Sequence, residues 1–462
     1  MVLKKISVGI TIAATCLSVA GCQKPWDKAK GSAPTPTPVT ETKNSASGIG
    51  DLTGYSYLNN LQVTENLPVK LYLDGTASMA GYTNKNAPSV FKDIIKSIEP
   101  IFNARWKSNK IEYVRFGDAY VPFNGENFLD FEKESFYVDR DTRLDNVIKD
   151  TDNAKLSIIV TDLFQTNQNY TSLCNALASK CFGDQTDRSF AIIGVKSQFK
   201  GKIFDVANHA PVEYSSVDNK PNTYRPVYLL VVGKDADVKV FAYELQRKFN
   251  DVKVSLFTNE YTCNNDLGLG KDFGKTKNGF QNKGNKEGKS ADGIIHVKAK
   301  AGNSFSDSLV FFAKRLPVMI PEKYDLRVVK MEKMTGGSWN PLSKNKAAFQ
   351  EVDVKNIIKG AMSISFKGAD IESLAKFDVD ARKENVGKYR ITLGIYPSRE
   401  DYVDSQNVFG DWNFDENKVP AKDAEIGIKT QSVSEFTKLV ADKHYMQDKP
   451  GIGTIQLYLD ID

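Results

Sequence analysis

The chain has 462 residues and a formal net charge of +5, and its apolar and charged fractions, 41% and 26%, are those of a globular protein. At about 100–200 residues per domain, that length predicts two to three domains with sizeable cores. The charge is too small to imply nucleic acid as a partner, the more so if Lys4 and Lys5 belong to a leader.

The first 22 residues read as an export signal, with Lys4 and Lys5 followed by an apolar run from Ile6 to Ala20. That run is shorter than the ~20 residues needed to span a bilayer. It ends in Val19-Ala20-Gly21-Cys22, which resembles the lipobox of bacterial lipoproteins. The resemblance implies that Cys22 is acylated, becomes the mature N-terminus and anchors the protein to a membrane. Gln23 in the next position, rather than Asp, implies the outer membrane if the cell is Gram-negative. The alternative is a plain signal peptide, whose cleavage leaves the protein soluble. Residues 23–50 are rich in Pro, Thr, Ser and Gly and have almost nothing to bury, as in a flexible tether. Fully extended it reaches roughly 90 Å.

From 65 to 250 apolar strands alternate with helical patterns, which predicts an α/β domain: an open, mostly parallel sheet with helices on both faces. The expected strands are Val69–Leu73, Ile111–Phe116, Leu156–Val160, Phe190–Val195 and Val227–Val232. Between the first two, apolar residues at helical spacing from Val90 to Phe102 predict a helix that Pro100 should kink or break. Shorter helices fall on "RLDNVIKD" and around Leu173–Leu177, and another carries Val238, Phe241 and Leu245 with Asp235 or Asp237 as its cap. An exported protein can form disulfides, and Cys174 and Cys181 are the expected pair, with Cys263 left over. Seven helical residues would hold their Cα atoms ~10.5 Å apart, beyond the ~7 Å limit. The bond therefore needs the helix to end before Cys181.

Residues 251–293 are Gly-, Asn- and Lys-rich and read as an exposed loop or linker. Residues 294–462 carry strand-like runs with period-2 alternation, which predicts a β-rich, sandwich-like C-terminal domain. One helix interrupts it at "SVSEFTKLVADKHYM", with Ser432 and Glu435 in a capping-box pattern and Val433, Phe436 and Val440 on one face. The cluster "FGDWNF" reads as a loop packed on its own domain rather than as a binding surface.

The stretch "LYLDGTASM" ends the first strand on Asp74, followed by Thr76 and Ser78. Open α/β sheets bind ligands beyond the carboxyl ends of their strands. Asp162, just past Leu156–Val160, and Thr142, in a loop entering a helix, belong to the same edge. Asp74, Thr76, Ser78, Thr142 and Asp162 then supply two carboxylates and three hydroxyls. Mg²⁺ takes about six oxygens and usually keeps waters among them. Such a shell leaves the ion electrophilic and open to a carboxylate from elsewhere. Any of these residues taken singly reads as a helix cap or a turn; together they read as a cation site.

These residues resemble the metal-ion-dependent adhesion site of the von Willebrand factor type A domain: Asp-x-Ser-x-Ser after the first strand, a Thr in a later loop and an Asp after the fourth strand. "YVRFGDAY" is similar to that family's second strand. The resemblance covers about residues 65–250 and implies Mg²⁺ or Mn²⁺ bridging to an acidic residue of a protein partner. Thr76 replaces the first Ser but keeps the hydroxyl. Leu163 stands where a Gly usually follows the Asp, and no glycines precede Thr142, which puts the loop geometry in question. Asp118 is read as a turn residue. A rival reading starts from "DGTAS", which resembles haloacid dehalogenase-like phosphatases. It makes Asp74 a nucleophile with Thr161 binding the phosphoryl group, although Thr76 stands where those enzymes have a second Asp. A third is a structural envelope protein with a degenerate site. His209, His296 and His444 are scattered and have no evident catalytic partner, so no enzymatic activity is expected.

Overall fold

The computed structural model describes residues 51–53, 56–83, 89–164, 170–183, 187–204, 211–258, 267–269, 295–313, 323–338, 344–352, 357–367, 370–414, 423–447 and 453–462. The leader with Cys22, the 23–50 tether, Cys263 and His209 lie outside the described residues. Of the 251–293 stretch, only 251–258 and 267–269 are described.

The first half of the chain runs β1 (Val69–Asp74), α1 (Val90–Arg105), β2 (Ile111–Phe116), β3 (Val121–Pro122), α2 (Leu144–Asp150), β4 (Leu156–Thr161), α3 (Tyr170–Cys181), β5 (Arg188–Ser197), the hairpin β6 (Lys200–Ile203) and β7 (Val212–Ser215), β8 (Arg225–Lys234), α4 (Asp235–Lys248) and β9 (Lys253–Phe257). Seven of these strands form one sheet in the order β3-β2-β1-β4-β8-β5-β9. Alternate residues enter different cores, as the pleat requires. Leu71, Leu73, Ile158, Val160, Leu229 and Val231 meet α1 and α4. Tyr72, Ile159, Leu230 and Val232 face the other way, toward α2 and α3. Helices therefore cover both faces.

The sheet is mixed rather than mostly parallel. β1 pairs in parallel with β2 and with β4. β8 is antiparallel to β4 and β5, β9 is antiparallel to β5, and β3 is antiparallel to β2. An apolar run shows that both faces of a strand are covered, not which way the strand points. The β6–β7 hairpin, in place of a helix, joins β5 to its antiparallel neighbour β8.

Three local expectations are corrected. Helix α1 is not broken at Pro100, which lies on its exposed face, where the carbonyl left without a donor can meet water. Neither Asp235 nor Asp237 caps α4; Lys234 holds the N-cap position. Asp237 instead accepts from the Thr64 N–H and hydroxyl and from Trp106 Nε1 at 2.8–2.9 Å, while Asp235 accepts from Ser189 Oγ at 2.6 Å and pairs with Lys239. The expected Cys174–Cys181 disulfide is absent, because α3 runs unbroken to Cys181.

The remaining elements are β10 (Leu267–Leu269), β11 (Ile295–Ala299), β12 (Phe305–Ala313), β13 (Lys323–Gly336), β14 (Ala348–Glu351), β15 (Ile358–Lys367), β16 (Asp370–Val379), β17 (Gly387–Pro397), α5 (Arg399–Gln406), β18 (Asn413–Phe414), α6 (Asp423–Ile428), β19 (Thr430–Gln431), α7 (Val433–Tyr445) and β20 (Gly453–Ile461). Among the described residues the strands outside β18–β19 form one continuous nine-stranded sheet, not two stacked sheets. Its order is β10-β12-β16-β15-β13-β17-β20-β11, with β14 on β13. Only β11 and β20 pair in parallel there.

Residues Ala46–Asp462 cluster as one unit, and the segment from α5 to α7 shows how it is joined. Val433, Phe436 and Val440 of α7 enter the second core of the first sheet, and Phe436 lies 5.0 Å from the ring of Tyr170. From the FGDWNF cluster, expected on its own C-terminal domain, Phe409 and Trp412 enter this core of the first sheet instead, and Phe414 joins the other core. A Cβ on Gly194 in β5 would come within 2.6 Å of Phe409 and 2.8 Å of Trp412, so only glycine admits those rings. Ser432 adopts a left-handed φ of 56° and makes no side-chain cap; Asn413 Oδ1 takes the Ser434 N–H instead, at 3.0 Å. His444 is fully buried in this layer with Nδ1 2.7 Å from Tyr402 Oη. Among the described residues no helix is long and apolar enough to cross a membrane.

Candidate metal centre

Asp74 is the last residue of β1 and is fully buried. Gly75 then carries the chain over the sheet edge, its N–H donating to Phe116 O at 2.8 Å. Thr76 N–H and Oγ1 both donate to Asp74 Oδ1, at 3.0 and 2.7 Å. The 3-10 turn Ala77–Thr83 follows and sets Ser78 Oγ 3.0 Å from Thr76 Oγ1.

The second loop is strapped to the first. Asp139 N–H donates to Gly75 O at 3.0 Å, and Ala77 N–H donates to Asp139 O at 3.2 Å. Three residues on, Thr142 Oγ1 lies 3.4 Å from both Asp74 Oδ2 and Thr76 Oγ1. No glycine is needed here, because Asp118 accepts the backbone N–H groups of Arg140 and Asp141 at 3.3 and 3.4 Å. Asp118, read from sequence as a plain turn residue, therefore supports the Thr142 loop. Arg115 pairs with Asp139 at 3.3 Å beneath the strap. A side chain on Gly75 would strike both, at 2.5 Å and 2.7 Å.

The third segment leaves β4. Thr161 Oγ1 donates to Asp74 Oδ2 at 2.8 Å and accepts the Leu163 N–H at 3.1 Å. Asp162 is 2% exposed and accepts the Phe164 N–H at 3.0 Å. Leu163 adopts φ 65°, the left-handed conformation that glycine would enter without strain. Leucine bears roughly 1–2 kcal/mol of strain there. Its side chain is fully buried in the second core, which offsets that cost. The departure from Gly thus leaves the turn intact.

Two buried carboxylates share this edge. Burial first, and then the charge of Asp162, push the Asp74 carboxyl up to about 7; the hydroxyls of Thr76 and Thr161 pull the other way. A cation between them would remove that repulsion. The oxygen separations of 2.7–3.4 Å among Asp74, Thr76, Ser78 and Thr142 also suit neighbouring ligands of one Mg²⁺. Ligands at 2.0–2.1 Å in an octahedron lie about 3 Å apart. Among the described residues no three His, Cys, Asp or Glu side chains converge, so the donor set here is two carboxylates completed by hydroxyls.

Four of the five expected residues thus form one hydrogen-bonded chain, and Asp162 lies within electrostatic reach. The sequence reading gave Thr161 no part in the cation site. Its position was legible all the same, since β1 and β4 pair in parallel with Leu73 beside Val160, which sets residue 161 beside Asp74. No family model, no curated protein and no solved structure matches this chain.

Proposed function

We propose that the chain is a membrane-anchored envelope lipoprotein whose first domain, similar to a von Willebrand factor type A domain, binds a protein partner through Mg²⁺ or Mn²⁺. The supporting observation is the buried Asp74, joined by hydrogen bonds to Thr76, Ser78 and Thr142 in one chain, its carboxyl pushed up to about 7 by burial and by the charge of the buried Asp162. These five side chains would hold the ion, which supplies an open position for a carboxylate of the partner. Cys22 would carry the lipid and the 23–50 segment would hold the domain away from the bilayer.

A phosphoesterase reading has less support. Thr76 stands where haloacid dehalogenase-like enzymes have a second Asp, and its hydroxyl donates to Asp74 Oδ1 at 2.7 Å. Calorimetric titration with Mg²⁺ and Mn²⁺ tests the cation reading. Saturable heats are expected for wild type and for an Asp145→Ala control on α2, and none for Asp162→Ala. Identical heats in all three proteins would sink the reading. Capture of envelope proteins on the immobilised chain, with Mg²⁺ and then with chelator, extends the test to the partner.

A further inference from the structure

The second sheet carries a cleft of about 480 Å³ that the cation reading does not use. It opens where β16 ends between the starts of β12 and β15. Ser304, Ser306, Lys359, Asp378, Asp380 and Arg382 line it, over the buried Val379. We propose that this cleft binds a pyranose unit of a neutral glycan.

Strand register sets the pattern of the lining. Ser306 and Lys359 both stand directly opposite Asp378, one on each neighbouring strand, so the three side chains form a row on one face. Ser304 and Asp380, with Arg382, make a second group two residues further along, roughly 7 Å away at the rise of a strand. In the first group Ser306 Oγ donates to Asp378 Oδ1 at 2.5 Å. In the second, Ser304 Oγ donates to Asp380 Oδ1 at 3.0 Å and Arg382 Nε donates to Oδ2 at 2.7 Å. Each group thus sets a carboxylate acceptor beside hydroxyl and cationic donors. Backbone bonds fix the frame, from Asp380 N–H to Ile357 O at 2.8 Å and from Gly302 N–H to Ala381 O at 2.6 Å. A site held in this way loses little freedom when a ligand arrives.

Charge and spacing choose the ligand. The two carboxylates offset Lys359 and Arg382, so the cleft has no net charge to draw a free anion or a free cation. Among the described residues Lys359 makes no ion pair, and Asp378 Oδ2 accepts no hydrogen bond. An ammonium donor and a carboxylate acceptor are therefore open side by side. Neighbouring hydroxyls of a sugar donate to the one and accept from the other at once. An amino acid carries both its charges on one carbon and satisfies one group only, whereas a ring with hydroxyls around it reaches both. The volume falls in the roughly 300–1,000 Å³ range of small-ligand sites.

The test titrates the methyl glycosides of glucose, galactose, mannose and N-acetylglucosamine into the full chain, read by NMR shifts. Chelator is present throughout, so the result is independent of the cation reading. At least one glycoside should move the signals of Ser306, Lys359 and Asp380 saturably and leave Thr76 and Thr142 still. Asp378→Asn and, independently, Lys359→Met should each weaken that glycoside at least about tenfold, the value of one hydrogen bond to a charged group. Both side chains are exposed, so urea midpoints should stay at the wild-type value. No glycoside moving these signals, or an affinity unchanged in either variant, would overturn the proposal. So would alanyl-alanine or inorganic phosphate binding there more tightly than every glycoside.

Discussion

Asp74→Asn should stabilise the metal-free protein, the reverse of what an altered buried polar residue usually does. The carboxyl titrates near 7 in the fold against an ordinary value of 3.8. Between those values the folded state keeps a proton that the unfolded chain has released, so stability falls as pH rises through the window. At 1.36 kcal/mol per tenfold, full ionisation costs the wild type about 4 kcal/mol. Asn keeps the shape without the charge. Its amide group can donate to Thr161 Oγ1 and Thr142 Oγ1, hydroxyls that now give their protons to Asp74. Urea denaturation in chelator should therefore show the variant level with wild type near pH 4 and ahead by about 2–4 kcal/mol at pH 8. Adding Mg²⁺ at pH 8 should raise the wild-type midpoint and leave the variant where it was. A variant that is less stable in chelator at pH 8, or a difference independent of pH, would refute the reasoning.

Leu163 should invert the usual order of glycine and alanine. Both variants lose a fully buried side chain at about 2–5 kcal/mol, but only the glycine variant relaxes the φ of 65°, so Leu163→Gly should unfold at higher urea than Leu163→Ala. A lower midpoint for the glycine variant would argue against the left-handed turn. Burial pushes the thiols of Cys174 and Cys181 up to about 12, so mapping by mass spectrometry should find neither alkylated in the native state at pH 8 and both alkylated in urea. A Cys174–Cys181 cross-linked peptide would contradict the unbroken α3. On the second sheet, Arg390 hydrogen-bonds Glu332 at 2.6 Å and holds its carboxyl down to about 2, against an ordinary 4.5. That stability is complete above about pH 4.5 and is lost as pH falls through about 2. Arg390→Met should cost about 1 kcal/mol at pH 7, and unfolding curves of the two proteins should converge at the acid end.

The five candidate ligands were legible because each sits where an apolar run stops or a helix begins, and parallel pairing of β1 with its neighbours brings those ends to one edge. What holds the Thr142 loop was not, because the Asp118 contacts and the Arg115–Asp139 pair join residues that no local pattern relates. The five strands named for the first sheet were read to within two residues of their ends, but β3, the β6–β7 hairpin and β9 were not read at all. Strand directions on the β8 side were not, since burial on both faces looks the same either way. The amphipathic stripe of α7 announced a helix, but a stripe does not say which sheet it covers. Asp235, Asp237 and Ser432 have the chemistry of caps, and tertiary partners claimed the two carboxylates while the backbone turned the serine aside.

The seating of α7 on the first sheet has a consequence for how the chain must be made. Every strand of that sheet has been synthesised by Phe257, yet on the face that α2 and α3 cover in part, the patch that receives Val433, Phe436 and Val440 stays bare until almost the last residues emerge. A nascent or truncated chain that stops before α5 leaves the apolar patch beside α3 uncovered. Fragments cut at the Gly/Asn/Lys-rich stretch should therefore be recovered as aggregates, and the protein reaches its native state only once its C-terminus is free to fold back.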